Sequence, residues 1–115
     1  QDIFDCFEGT TNICLYKKFK KKIFDCLVNI GRKNTILLLQ RAFNAIRGYG
    51  YIRIREDGFL GKQTEFNLID ILGSEYEYSI VVAFDCERAA YYRVLAAKNP
   101  SQEKFLNGWL RRAYS

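Results

Sequence analysis

The chain contains no histidine, no methionine, one proline and one tryptophan in 115 residues. Its four cysteines, Cys6, Cys14, Cys26 and Cys86, share no close metal-ligand spacing. Without histidine, a zinc site requires all four thiolates to converge from distant points of the fold. Buried free thiols of a reducing compartment are the simpler expectation. Cys26 and Cys86 both follow Phe-Asp within helical patterns, where a small soft side chain packs well. No apolar run approaches the roughly 18 residues of a membrane span. The longest, "TILLLQ" and "SIVVAF", lie inside helical patterns. Gln1 opens directly into "DIFDCF", with neither the basic region nor the long apolar segment of a signal peptide. The missing methionine reads as a sign that these residues are a piece of a longer chain.

What is present describes one domain, residues 1–115, with one core. Apolar residues make up 49% and aromatics 16%, too rich for a disordered chain. Lysine and arginine outnumber aspartate and glutamate 18 to 13, a formal charge of +5 that favours anionic partners: cell-wall polymer, nucleic acid or a lipid surface.

Periodicity predicts about five helices. Phe19, Ile23, Cys26, Leu27 and Ile30 recur three and four apart, so a helix runs from about Tyr16 to Gly31. Lys17, Lys18, Lys20, Lys21 and Lys22 spread over its outer face, either as a solvated surface or as an anion-binding one. A second helix covers about Lys33 to Ile46; Ile36, Leu39, Gln40, Phe43 and Ile46 share a face that Leu37 and Leu38 widen, which makes it central. Gln40, beside that stripe, must bond neighbouring backbone or a ligand, because an unpaired buried amide is costly.

The alternation "YIRIR" predicts a short extended arm near 50–56, with Arg53 and Arg55 on one side and Tyr49 and Tyr51 in line. "DGFLGKQT" then forms a turn into a helix. Asp57 can bond its own backbone, Gly58 is free to take positive φ, Gly61 permits a bend or close approach, and Thr64 turns its hydroxyl back onto the turn. Phe66, Leu68, Ile69 and Leu72 make the short helix that follows. Ser74 and Glu77 form a capping box for a helix running to Lys98, with Tyr76, Ile80, Phe84, Glu87, Tyr91, Val94 and Leu95 on one face. Asn99-Pro100 ends it, and Ser101 caps a terminal helix. Glu87 on an apolar face predicts an ion pair with Arg111 or Arg112, or a catalytic acid.

Three pieces, "IFDCLVNIG" with "LLLQRAFNA", "DGFLGKQT", and "ERAAYYRVLAAKNPSQEKFLNGWLRRA", resemble glycoside hydrolase family 108, the phage-endolysin and secretion-activator group. The last piece resembles that group's C-terminal predicted peptidoglycan-binding region, here residues 74–115. Matching positions are Asp25, Asn29, Gly31, Gln40, Asp57, Gly58, Gly61, Thr64, Glu87, Arg88, Tyr91, Tyr92, Asn99, Pro100, Phe105, Gly108, Trp109 and Arg112. The resemblance implies an all-α, lysozyme-like domain with muramidase activity on peptidoglycan. It implies glycan strands as partner, no cofactor, a holin or secretion partner left unnamed, and residence in the cytoplasm until release to the cell wall. The family places its catalytic glutamate early, in a Glu-Gly-Gly segment followed by a stretch rich in Asp, Pro and Gly. Here only Glu8 in "FEGTTN" occupies that place, and the following signature is absent.

Glycoside hydrolysis needs a buried proton donor together with a base, a nucleophile or a substrate group in that role. The candidate carboxylates are Glu8, Asp25, Asp57 and Glu87. Asp25 and Asn29, four apart on one helix face, either line a glycan cleft or brace a helix junction. Tyr49, Tyr51 and Trp109 offer faces for sugar rings, Trp109 with the alternative of a core position where Gly108 lets helices approach. Two further readings stand beside the hydrolase: a noncatalytic wall-binding or phage structural module, and, last, a nucleic-acid binder on the lysine cluster with Arg53 and Arg55. No helix-turn-helix or zinc signature accompanies that charge.

Overall fold

A single glycine separates the first two helices. α1 (Ile13–Ile30) stops at Gly31, whose φ of 85° is the left-handed conformation that closes a helix without a Cβ penalty. α2 (Arg32–Ile46) starts at once, with the Thr35 hydroxyl donating back to the Gly31 carbonyl at 2.7 Å and Asn34 to the Ile30 carbonyl at 3.0 Å. The computed structural model describes residues 13–46, 53–71 and 76–115. The remaining elements are α3 (Lys62–Ile71), α4 (Glu77–Lys98), a 3₁₀ segment (Pro100–Phe105) and α5 (Leu106–Tyr114). Among the described residues there is no strand, so the domain is an all-α bundle of five helices. Its packing specifies a helical bundle and nothing specifically lysozyme-like.

α2 is the centre. Ile36, Leu38, Leu39, Ala42 and Phe43 are fully buried, and α2 packs along α4 while α5 folds back on α4. Phe19, Ile23 and Cys26 of α1 close one side, and Phe19 meets Phe84 of α4 edge-on at 5.8 Å between centroids. Leu68 and Ile71 of α3, with Ile54, close another.

Two amides on α2 hold the segment that leads to α3. The side chain of Asn44 accepts from Ile54 N and donates to Ile54 O, both at 2.9 Å, as a neighbouring strand would. One turn earlier, Gln40 is wholly buried and makes five hydrogen bonds. Its Oε1 accepts from Asp57 N (3.0 Å) and Gly58 N (2.8 Å). Its Nε2 donates to Asp57 Oδ1, the Phe59 carbonyl and the Thr64 hydroxyl at 3.0–3.1 Å. Residues 53–56 are therefore extended without any sheet ladder; residues 50–52 of the expected arm lie outside the described residues. Gly58 has φ 77°, and a Cβ there would meet the Lys33 backbone carbonyl at 2.9 Å, so the turn lies directly on α2. Gly61 shows no such close approach. On α3, Leu68 and Ile71 are buried and Phe66 is exposed.

The long helix departs from expectation in its face. α4 begins at Glu77, and Ser74, the cap of the expected capping box, lies outside the described residues. Its buried stripe is Glu77, Ile80, Val81, Phe84, Asp85, Arg88, Ala89, Tyr92 and Ala96. Tyr76 and Val94 are exposed. Ser101 caps no α-helix: Pro100 opens the 3₁₀ segment, and α5 follows from Leu106 with no side-chain cap. Of the cysteines, Cys26 is buried, its thiol pushed up by burial, whereas Cys86 is exposed; Cys6 and Cys14 lie outside the described side chains.

Removing the Gln40 amide strands two backbone N–H groups. Gln40→Ala is expected to cost about 2–4 kcal/mol in urea unfolding, and Gly58→Ala more than about 1 kcal/mol, through positive φ and the Lys33 clash. A Gln40→Ala cost near zero would show that the turn is held by something else. The turn also carries a pH signature. The Phe59 N–H and the Gln40 amide hold the Asp57 carboxyl below its ordinary value of 3.8. Its contribution is then present above that value and lost as pH falls through the lower folded value. Stability measured against pH should accordingly fall less steeply below about pH 4 in Asp57→Asn than in the native chain.

Candidate functional site

Two opposite charges in the buried stripe of α4, Asp85 and Arg88, reach α1. Arg88 is 1% exposed and donates from Nη2 to Asp25 Oδ2 at 2.7 Å and from Nε to the Tyr92 hydroxyl at 3.0 Å. Burial works against its charge, but these two partners outweigh it and hold the guanidinium above its usual value. Lys22 is buried against Asp85, Nζ to Oδ2 at 3.1 Å. Burial pushes the Asp85 carboxyl up, against the pull of Lys22, and its Oδ1 has no hydrogen-bond partner among the described residues. From the terminal helix, Arg112 donates to Asn29 Oδ1 at 2.5 Å, while Asn29 Nδ2 donates to the Asp25 carbonyl at 2.7 Å.

These contacts enclose a cleft of about 390 Å³ between α1, α4 and α5. Lys18, Lys21, Lys22, Arg88, Arg111 and Arg112 line it, with Asp25 and Ser115. Lys22 and Arg88 are neutralised by their partners, Asp85 and Asp25. Lys18, Lys21 and Arg111 make no ion pair with a described residue, and Arg112 is held by an uncharged amide. The net result is a pocket of positive potential with one carboxylate, already bonded, on its wall.

Arg112 also lines a second, shallower groove of about 360 Å³, with Lys104, Phe105, Gly108 and Trp109. Trp109 is half-buried: it stacks on Tyr92 at 5.5 Å and touches Phe105 at 5.9 Å, within a small cluster with Ala89 and Ala113. Gly108 makes no close helix contact; a Cβ built there meets nothing within 4 Å.

The residues singled out from the sequence thus divide. Asp25 and Asn29 join α1 to α4 and α5 at the cleft rim. Gln40, Asp57, Gly58 and Thr64 form the separate turn assembly on α2, away from the cleft. Glu87 has no basic partner from the terminal helix: the expected pairing with Arg111 or Arg112 is replaced by Arg112–Asn29, and the buried ion pair of α4 is made by Arg88, one residue on. Glu8, Tyr49 and Tyr51 lie outside the described residues. Lys22, Asp85, Arg88 and Arg111 were not marked by periodicity, although Lys22 belongs to the conspicuous lysine cluster. Among the described residues no group of acidic or thiol side chains is placed to hold a metal ion.

Breaking the Arg88 pair from its exposed side tests which charge matters. Asp25→Asn should cost about 2 kcal/mol or more by stranding a buried guanidinium, although Asp25 itself is 43% exposed. Glu87→Gln should stay within about 0.5 kcal/mol. Equal effects in thermal or urea unfolding would overturn this assignment.

No curated protein and no solved structure matches the chain. The family described as a predicted peptidoglycan domain matches residues 34–114, from the start of α2 to the end of α5, and no finding extends the match to the catalytic family that the motifs resemble. The chain belongs to the predicted peptidoglycan domain family.

Proposed function

We propose that the chain is a noncatalytic peptidoglycan-binding module and that the cleft between α1, α4 and α5 receives the anionic groups of the wall polymer. The observation that carries this reading is the convergence of six cations and one committed carboxylate at one cleft, built by α4 and α5 of the predicted peptidoglycan domain together with α1, which precedes the matched residues 34–114. Peptidoglycan presents stem-peptide carboxylates, hung from the lactyl groups, along a neutral sugar chain. A concave cationic site concentrates such groups by field as well as by contact. Arginine suits them better than lysine, because its planar fork pairs a carboxylate through two hydrogen bonds.

Hydrolysis by the usual route requires two carboxyl groups about 5–9.5 Å apart across the scissile bond. The cleft supplies one, Asp25, and Arg88 occupies its Oδ2. Asp85, the other carboxylate nearby, is tied to Lys22. The described residues therefore support holding a glycan strand more than cutting it. No described helix is long and apolar enough to cross a membrane.

Sedimentation of the folded chain with purified sacculi tests the reading. The chain should co-sediment, lose most retention between about 0.05 and 0.5 M salt as screening shortens to a few ångströms, and release no reducing ends. Lys18→Gln combined with Arg111→Gln, two surface changes, should weaken retention several-fold without lowering the melting temperature. Release of reducing ends that disappears in Glu8→Gln would establish a glycosidase instead.

A further inference from the structure

A glycine inside a helix costs about 0.5–1 kcal/mol relative to alanine, so its presence calls for a left-handed φ or a close approach. Gly108 has neither. It lies in α5 without positive φ, exposed, and nothing stands within 4 Å of where a Cβ would be. What surrounds it is instead the floor of the shallow groove. Phe105, Gly108, Trp109 and Arg112 recur at three and four residues, so all four face the same side of the helix. Phe105 is 46% exposed, and Trp109 contributes ring surface beside it. A flat floor without a side chain, bordered by aromatic carbon and by the Arg112 and Lys104 cations, matches a pyranose ring: an apolar face of C–H groups with hydroxyl and amide substituents around its edge.

We propose that this groove is a sugar subsite, which rests on the wall-binding reading above and divides its ligand in two. The groove over Gly108 takes a neutral N-acetylated pyranose of the glycan strand, and the adjoining cationic cleft takes the carboxylate of a substituent on the next sugar. Arg112 belongs to both linings and marks the boundary. Gly108 is a specificity position: it is kept bare for the ligand, not for the fold.

Trp109 is the single tryptophan of the chain, so its fluorescence reports on this groove and on the Tyr92 ring stacked against it. The probe is a neutral β-1,4-linked tetramer of N-acetylglucosamine, titrated against the full chain at low and high salt. A saturable change in Trp109 emission, insensitive to salt, is expected. Gly108→Ala should melt no lower than the native chain, since alanine favours the helix. Gly108→Gln, which lays a side chain across the floor, should bind the tetramer at least about tenfold more weakly, a loss of about 1.4 kcal/mol. Arg111→Gln should leave the tetramer response intact while reducing binding of a muropeptide that carries free stem carboxylates. The subsite is refuted if saturating tetramer leaves Trp109 unchanged, or if Gly108→Gln binds it as the native chain does. Retention on sacculi separates the two readings: a chain that binds sacculi with an unresponsive Trp109 keeps the wall-binding function and loses the sugar subsite. A chain that binds neither loses both.

Discussion

A guanidinium that is 1% exposed cannot remain charged without a counter-charge, and most of this molecule is arranged around that requirement. Arg88 sits in the middle of α4, where the helix crosses α1. Its desolvation costs several kcal/mol, which Asp25 and the Tyr92 hydroxyl must offset together. Because Asp25 is on α1, neutralising Arg88 fixes the distance and rotation of α1 against α4. Because Tyr92 stacks on Trp109, the same group fixes where α5 lies. The Lys22–Asp85 pair repeats the device one turn away. The two pairs hold α1 and α4 in register, the Tyr92–Trp109 stack adds α5, and the remaining cations line the space between the three helices.

The second constraint is separate and belongs to α2. Its two buried amides, Gln40 and Asn44, lie four residues apart and face the same way. Each satisfies both an N–H and a C=O of a passing chain, which is what a neighbouring strand does in a sheet. An irregular segment can therefore lie against the core without orphaned backbone groups. Gly58 lets it approach α2 closely enough for those bonds to form. The "DGFLGKQT" stretch, which from its spacing alone could serve a fold or a ligand, is thus a device of the fold: Asp57, Gly58, Phe59 and Thr64 all bond to Gln40.

Much of this was legible in the sequence. Gly31 and Asn99-Pro100 act on backbone dihedrals locally, so the ends of α1 and α4 could be read directly. Gln40 was recognisable as a polar group with an obligation, and the turn beside it as the nearest set of partners. The face of α4 was not legible, for a physical reason. Its buried stripe includes Ala89, Ala96, Asp85 and Arg88, which carry little or no apolar signal, while Tyr76 and Val94 stay exposed. A search for large apolar residues therefore rotates the helix by about one position, and that places Glu87 where Arg88 belongs. The cleft was illegible for another reason. Its cations come from residues 18–22, 88 and 111–112, and only tertiary packing brings them together.

That convergence has an energetic consequence for binding. Lys18, Lys21, Arg111 and Arg112 face one another across a concave surface with no uncommitted carboxylate in the lining to separate them. Like charges held close disfavour the compact state, and a cleft surrounded by protein screens them less than open solvent does. The fold tolerates this because its core, on α2, and its buried pairs, on α4, lie elsewhere and do not depend on the cleft being filled. An anion entering the cleft supplies the missing counter-charge, so it binds the folded chain and stabilises it in the same step. Asp25 limits how far this goes. It neutralises Arg88 from the cleft wall, and a carboxylate that displaced it would compete with the contact that positions α1. The proposed anion sites are therefore the unpaired cations Lys18, Lys21 and Arg111, with Arg112 joining the cleft to the groove over Gly108. A ligand with one anionic group and a neutral ring next to it can use both surfaces without disturbing the pair beneath them.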